Sequence, residues 1–277
     1  MLTDYAKYLR LKKFPHIWCP GCGHGIVFKA VLRAIDRVGF RNDDVVMVSG
    51  IGCSSRTPGY ADFNTLHTTH GRAIAFSTGV KMANPDLNVI IMTGDGDATA
   101  IGGNHLIHAA RRNIDLTVVV FNNYIYGMTG GQGSPTTPRG RRASTLPYGN
   151  IEQPFDVCHL AGAAGAAYVA RSTVYHARLL DRFIERGLRK KGFALIEAMT
   201  PCPTSFGRRN RLGDGASMLR QMKEMSIKAE QAEDTPPEDL ADKIVIGEFK
   251  NVDIPEYVEE YDRVIMACAQ GRTPQPV

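Results

Sequence analysis

Short apolar runs alternate along the chain with longer stretches in which apolar residues recur at helical spacing. The runs are Val45–Val48, Val89–Met92, Leu116–Phe121, Ala167–Ala170 and Phe193–Glu197. They are bounded by Gly, Asn or Asp and the strongest are rich in Val and Ile, which predicts buried strands. Helical periodicity covers Gly25–Val38, Arg72–Met82, Gly103–Arg112, Phe155–Ala161 and Val174–Arg189, with Gly or Asn near several ends. Strand–helix alternation predicts an α/β fold, a mainly parallel sheet flanked by helices on both faces. Tyr124–Asn150 breaks the pattern with six glycines and three prolines. A loop that long in a compact domain is usually functional. Beyond it, a helix is predicted over Ala216–Ala232, followed by an acidic tail. The expected division is residues 1–204 as the binding domain and 205–277 as a peripheral arm.

Composition narrows the classes. Of 277 residues, 43% are hydrophobic and 22% charged, enough for a full core. No run approaches the roughly 18 uninterrupted apolar residues of a membrane span, so no membrane association is predicted. Met1–Lys13 has charges but no apolar signal region, which favours a cytoplasmic protein. The net charge of +5 hides an asymmetry: Glu230–Asp262 carries 12 acids and 2 bases, residues 1–229 carry 29 bases and 16 acids. The basic runs Arg139–Arg142, Arg189–Lys191 and Arg208–Arg211 lack the interleaved aromatics of a single-strand groove. They read as solvated surface charge, and no nucleic-acid partner is predicted.

Two motifs sit at strand ends, where open α/β sheets bind ligands. Thr93-Gly94-Asp95-Gly96-Asp97 follows Val89–Met92, and Asn122-Asn123-Tyr124-Ile125-Tyr126-Gly127 follows Leu116–Phe121. Glycine lets backbone N–H groups approach a phosphate, and a helix beginning near Gly102 aims its positive end at the same space. Asp95 offers a hard carboxylate oxygen to Mg²⁺, and an Asn offers a neutral amide oxygen. Either motif alone is more often a turn; the pair favours a metal–diphosphate site. Gly50-Ile51-Gly52-Cys53-Ser54-Ser55 lacks the third glycine of a dinucleotide loop and runs into Pro58-Gly59. The pair resembles the GDG…NN signature of thiamine-diphosphate enzymes. That resemblance implies Mg²⁺ ligands at Asp95, Asn123 and the Ile125 carbonyl, and cofactor contacts from Gly96, Asp97, Gly127, Met128 and Thr129.

Six cysteines remain to be placed. Cys19-Pro20-Gly21-Cys22 is a CxxC; Gly23 excludes a c-type haem, and Lys12–Ile17 is not the buried strand of a thioredoxin-like dithiol. Zinc and iron–sulfur sites both need about four thiolates. Cys53 and Cys202, each after a predicted strand, can complete the set; Cys158 and Cys268 sit in ordinary helical surroundings. The residues do not choose between the metals. The thiamine reading does: decarboxylation of a 2-oxoacid leaves an electron-rich species that a one-electron acceptor can oxidise, and zinc accepts no electrons.

Seven segments occur in the order Trp18–Gly23, Gly50–Ser54, Thr69–Ala73, Gly94–Asp97, Asn122-Asn123, Thr129–Gln132 and Pro201–Pro203. In that order they resemble the β subunit of a 2-oxoacid:ferredoxin oxidoreductase, from about Pro15 to Asn210. The resemblance implies a [4Fe–4S] cluster on Cys19, Cys22, Cys53 and Cys202, and cofactor contacts from Ile51, Gly52, Cys53, Ser54 and His70. It implies reversible, coenzyme-A-dependent oxidative decarboxylation with electrons passed to ferredoxin. Gly192-Phe193 and Pro201–Asn210 are similar to 2-oxoglutarate-type subunits, with succinyl-CoA as product, and Arg56 is a candidate partner for a distal carboxylate. Pyruvate, or a range of 2-oxoacids, is the alternative. A zinc(Cys)4 binding protein and a non-redox thiamine decarboxylase are more distant ones. The glutamate that activates thiamine belongs to a separate pyrimidine-binding domain, for which this chain has no room. An α subunit in an αβ or α2β2 assembly is therefore expected to supply it, together with coenzyme A contacts.

Overall fold

The computed structural model describes residues 3–273; the last four residues of the expected arm lie outside them. The strands are β1 (Val45–Ser49), β2 (Asn64–His67), β3 (Asn88–Gly94), β4 (Thr117–Asn122), β5 (Ile125–Tyr126), β6 (Gln132–Gly133), β7 (Tyr168–Thr173), β8 (Ala194–Met199), β9 (Ser226–Lys228) and β10 (Ile244–Asn251). The principal helices are α1 (His24–Val38), α2 (Ala73–Ala83), α3 (Asp95–Thr99), α4 (Gly103–Arg111), α5 (Val157–Ala164), α6 (Ala177–Arg189), α7 (Gly215–Met225) and α8 (Tyr257–Ala269).

Eight strands form one sheet in the order β2-β1-β3-β4-β8-β7-β10-β9, and β5 pairs with β6 in a separate hairpin. All neighbours in the sheet are parallel except β10 on β7. Successive side chains point to opposite faces. Val45 and Met47 therefore join one apolar layer with α1 and α6, and Val46 and Val48 join the other with α2, α4 and α5. Both faces are covered, which is why β1, β4, β7 and β8 are buried at every position. Each fully buried Val, Ile or Leu contributes about 2 kcal/mol. The α1–α6 pair is also joined by Arg33, whose Nε and Nη2 reach Asp181 at 2.7 and 2.6 Å.

Three readings change. β2 was not expected; its sequence Asn-Thr-Leu-His is half exposed on an edge and has no apolar period. The helix expected over Ala216–Ala232 ends at Met225, where Ser226–Lys228 turns into β9. The 205–277 arm is not wholly peripheral, because β10 pairs with β7 and extends the main sheet. Its acidic residues answer part of the basic body: Glu248 meets Arg186 at 3.0 Å, Asp253 meets Lys190 at 2.6 Å and Glu259 meets Lys191 at 3.4 Å. Among the described residues no helix is long and apolar enough to cross a membrane.

The register places four strand ends side by side. Ser49 pairs with Met92, Gly94 with Phe121, and Asn122 with Met199. The segments that follow, Gly50–Ser54, Asp95–Asp97, Asn123–Gly127 and Thr200–Cys202, thus emerge at one edge of the sheet.

Candidate functional site

A cleft at that edge is lined by Ile51–Ser54, Gly94–Asp97, Asn123 and Ile125–Thr129, with His24 and Phe121 at its floor. Twelve residues expected at the cofactor or its metal (Ile51, Gly52, Cys53, Ser54, Asp95, Gly96, Asp97, Asn123, Ile125, Gly127, Met128 and Thr129) line it. His70 and Arg56 do not. Both are exposed.

Asp95 opens α3 directly after β3 and is 2% exposed. Its Oδ2 accepts hydrogen bonds from Ser134 Oγ and Thr136 Oγ1, both at 2.6 Å, and its Oδ1 accepts a long one from Asn123 N. Burial pushes its pKa up to about 6, and those bonds only partly oppose it. A carboxylate this deep, with hydroxyls but no cation beside it, has the chemistry of a divalent-cation ligand. Asn123 turns its Oδ1 onto Ile125 N at 3.3 Å. Between them Tyr124 adopts a left-handed φ of 64°, a strained conformation of order 1–3 kcal/mol that functional turns retain. Thr137 Oγ1 donates to the Tyr124 carbonyl at 2.6 Å and the ring packs on Phe206, which together hold the turn.

The anion side is built from glycine and one orphan hydroxyl. A Cβ on Gly96 would stand 2.3 Å from the Tyr126 ring, and one on Gly50 would stand 2.3 Å from Asp97 Oδ2. Asp97 is held by Gly71 N at 2.7 Å and Thr93 Oγ1 at 2.9 Å. Ser54 Oγ is buried without a hydrogen-bond partner and lies beside Gly94. A buried donor left unpaired costs about 1–3 kcal/mol, and a phosphate oxygen in the cleft would satisfy it.

The four expected cluster cysteines meet beside this cleft. A Cβ on Gly127 would lie 3.5 Å from Cys202 Sγ and 3.7 Å from Cys53 Sγ. Cys22 and Cys53 both have raised thiol pKa values, Cys53 up to about 11. Burial is the main cause, and the neighbouring thiols of the same four add to it. Thiols packed among thiols with no cation suit a metal group that would hold them as thiolates. Cys19 is exposed, and all six cysteines are free. Among the described residues no three His, Cys, Asp or Glu side chains close on a point where one ion could sit.

The sequence reading missed the supports. Glu197 on β8 is 1% exposed. Its Oε1 accepts from Asn122 Nδ2 at 2.7 Å, and its Oε2 accepts from Arg171 Nε at 2.5 Å and from the Cys158 thiol. Asn122 Oδ1 in turn accepts from Tyr124 N and Thr136 Oγ1. One buried chain of bonds therefore runs from β7 through β8 to the Asp95 carboxylate. An acid alone in Ala-Leu-Ile-Glu-Ala-Met and an arginine in the next strand were the available signals. His24 was missed too: burial lowers its pKa to about 4, and it is packed between Trp18 and Phe121.

Residues 50–198 match the family described as thiamine pyrophosphate enzyme, C-terminal TPP binding domain. The chain is 55% identical over 259 residues to the 2-oxoglutarate synthase subunit KorB of Methanocaldococcus jannaschii, covering 94% of this chain and 96% of that protein. It is 48% identical to the KorB subunit of Archaeoglobus fulgidus, with both chains fully covered. A solved structure, 2-oxoglutarate:ferredoxin oxidoreductase from Magnetococcus marinus with 2-oxoglutarate, coenzyme A and succinyl-CoA bound, superposes with a TM-score of 0.84. Its identity is 31%, over 99% of this chain and 93% of that one. The chain thus belongs to the thiamine pyrophosphate enzymes, among the β subunits of the 2-oxoacid:ferredoxin oxidoreductases.

Proposed function

We propose that this chain is the β subunit that binds thiamine diphosphate, Mg²⁺ and a [4Fe–4S] cluster in the oxidative decarboxylation of 2-oxoglutarate. The 2-oxoacid and coenzyme A give succinyl-CoA and CO₂, and the two electrons released pass singly to ferredoxin. The observation that carries the reading is the juxtaposition of the Asp95–Asn123 edge with Cys53 and Cys202, whose sulfurs flank Gly127 in the same cleft wall. When bound, thiamine diphosphate would supply a nucleophilic carbon for the decarboxylation, and a cluster on the four cysteines would supply a one-electron acceptor.

This chain's own residues hold and orient. Asp95, Asn123 and the Ile125 carbonyl take the metal; Gly96, Asp97, Gly127, Met128 and Thr129, with the Ser54 hydroxyl, take the diphosphate. The Ile51–Cys53 loop lines the cleft and ends on a proposed cluster ligand, so one segment would contact both groups. A cluster is favoured over zinc because the reaction releases electrons and zinc cannot accept them. Substrate choice rests on the 2-oxoglutarate synthase relatives.

The relatives are themselves named as subunits, and in this reading a partner α subunit supplies the activating glutamate. The chain expressed alone should bind iron but show no turnover of 2-oxoacid with viologen dye; turnover by the lone chain would refute the two-subunit reading. In the complete complex, a higher kcat/KM for pyruvate than for 2-oxoglutarate would overturn the substrate.

A further inference from the structure

Of the three basic runs, only one is neutralised within the fold. Arg189 pairs with Glu185, Lys190 with Asp253, and Lys191 with Asp115 and Glu259. Arg139, Arg141 and Arg142 leave the glycine-rich loop; Arg208, Arg209 and Arg211 follow Cys202. None of these six comes within 4.0 Å of a carboxylate among the described residues. All but Arg141 are exposed. Asp242 shares a cleft with Arg139 and Arg141 but forms no ion pair with them.

The fold brings the two runs together. Arg142 N donates to Asn210 Oδ1 at 2.9 Å, and Asn210 Nδ2 donates back to the Arg142 carbonyl at 3.0 Å. Arg209 reaches the Gly130 carbonyl. Bringing like charges together costs energy in the isolated chain, and no ion pair among the described residues offsets it directly.

The segment that carries Arg208, Arg209 and Arg211 also packs its two ends on the CxxC turn. A Cβ on Gly21, inside the CxxC, would lie 2.9 Å from Gly215 Cα and 3.6 Å from Pro203 Cγ. Both ends of the 203–215 segment therefore abut the CxxC turn, and its tip carries Arg208, Arg209 and Arg211. Cys19, the exposed member of the four, lies in that same turn.

We infer that these arginines are the docking surface for an acidic one-electron carrier protein that collects electrons from the cysteine site. The inference rests on the function proposed above. A set of exposed cations suits transient docking, where long-range attraction sets the encounter rate and the product must leave. Each docking event moves one electron from the cluster to the carrier, so two events complete one turnover.

The test uses the αβ complex carrying Arg142→Glu and Arg208→Glu together, both exposed positions outside the cofactor cleft. With ferredoxin at low salt, kcat/KM should fall on the order of tenfold, and the gap should narrow as salt rises. Viologen turnover and the KM values for 2-oxoglutarate and coenzyme A should not change, and lysine at both positions should restore ferredoxin kinetics. Unchanged ferredoxin kinetics would overturn the inference. So would a raised KM for coenzyme A with ferredoxin unaffected, which would assign the patch to the phosphates of that molecule. Dissociation of the complex would assign it to the subunit interface and overturn it equally. A wild-type complex inactive with every 2-oxoacid and with viologen would sink the parent reading itself.

Discussion

Glu197 is the residue whose replacement most directly tests how the metal edge is held. It joins Arg171 and Asn122 at 2.5 and 2.7 Å, deep in the sheet. Glu197→Leu strands a buried guanidinium, which typically costs about 3–5 kcal/mol. Asp156 remains 2.7 Å from Arg171 Nη2, which puts the loss near the lower end. The Asn122 amide also loses its acceptor, adding about 1–2 kcal/mol. The expected total is about 4 kcal/mol, or roughly 10 °C in Tm for a domain of this size. Glu197→Gln keeps the shape but turns its NH₂ on one of two donors, for about 2 kcal/mol. Arg171→Met added to Glu197→Leu should recover about half the loss, since the buried guanidinium is then gone and Asp156, which loses it as a partner, is partly exposed. Because Asn122 also anchors Tyr124 N and Thr136 Oγ1, thiamine diphosphate affinity with Mg²⁺ should fall on the order of tenfold or more in Glu197→Gln. Calorimetry and cofactor titration on the complex measure both. A Glu197→Gln protein within 0.5 kcal/mol of wild type (about the spread of neutral surface changes) and with unchanged cofactor affinity would refute the reasoning.

Three further outcomes follow from single contacts. Gly50→Ala drives a methyl into the Asp97 carboxylate and should abolish cofactor binding while leaving iron content intact; cofactor titration beside iron analysis checks it. Cys202→Ser should remove the iron–sulfur absorbance of anaerobically purified protein, whereas Cys158→Ser, whose sulfur meets only Glu197 and a carbonyl, should keep it. His24 stays neutral in the fold with a pKa of about 4 against an ordinary 6.5. Its folded value is the lower one, so its contribution is complete above about pH 6.5 and is lost as pH falls towards 4, amounting to about 3 kcal/mol. His24→Phe should flatten the Tm profile across that window; an unchanged slope would place the acid sensitivity elsewhere.

Much of the site was legible because its chemistry is local in the chain. Gly-Asp-Gly and Asn-Asn each follow an apolar run, and a parallel sheet delivers every strand's carboxyl end to one edge. The CxxC and the two later cysteines were legible as a set of thiols. The long-range supports were not. Glu197, Arg171 and Asn122 are 75 and 26 residues apart in their hydrogen-bonded pairs, and nothing local marks a strand acid as another strand's partner. β10 escaped because its apolar run is only Ile244-Val245-Ile246, broken at Gly247 and set inside an acidic tail, although the fold pairs it on both sides with β7 and β9.

The sequence by itself therefore determined the α/β class, the two strand-end motifs and the cysteine count, since these depend on side-chain type and spacing along one segment. Only the tertiary structure decided which ends became neighbours, that Ser134 and Thr136 close on Asp95, and that two arginine runs some 70 residues apart share one surface through Asn210. The reason is physical: register and packing set distances between segments, and those distances, not composition, decide which charges are compensated and which remain open to a partner.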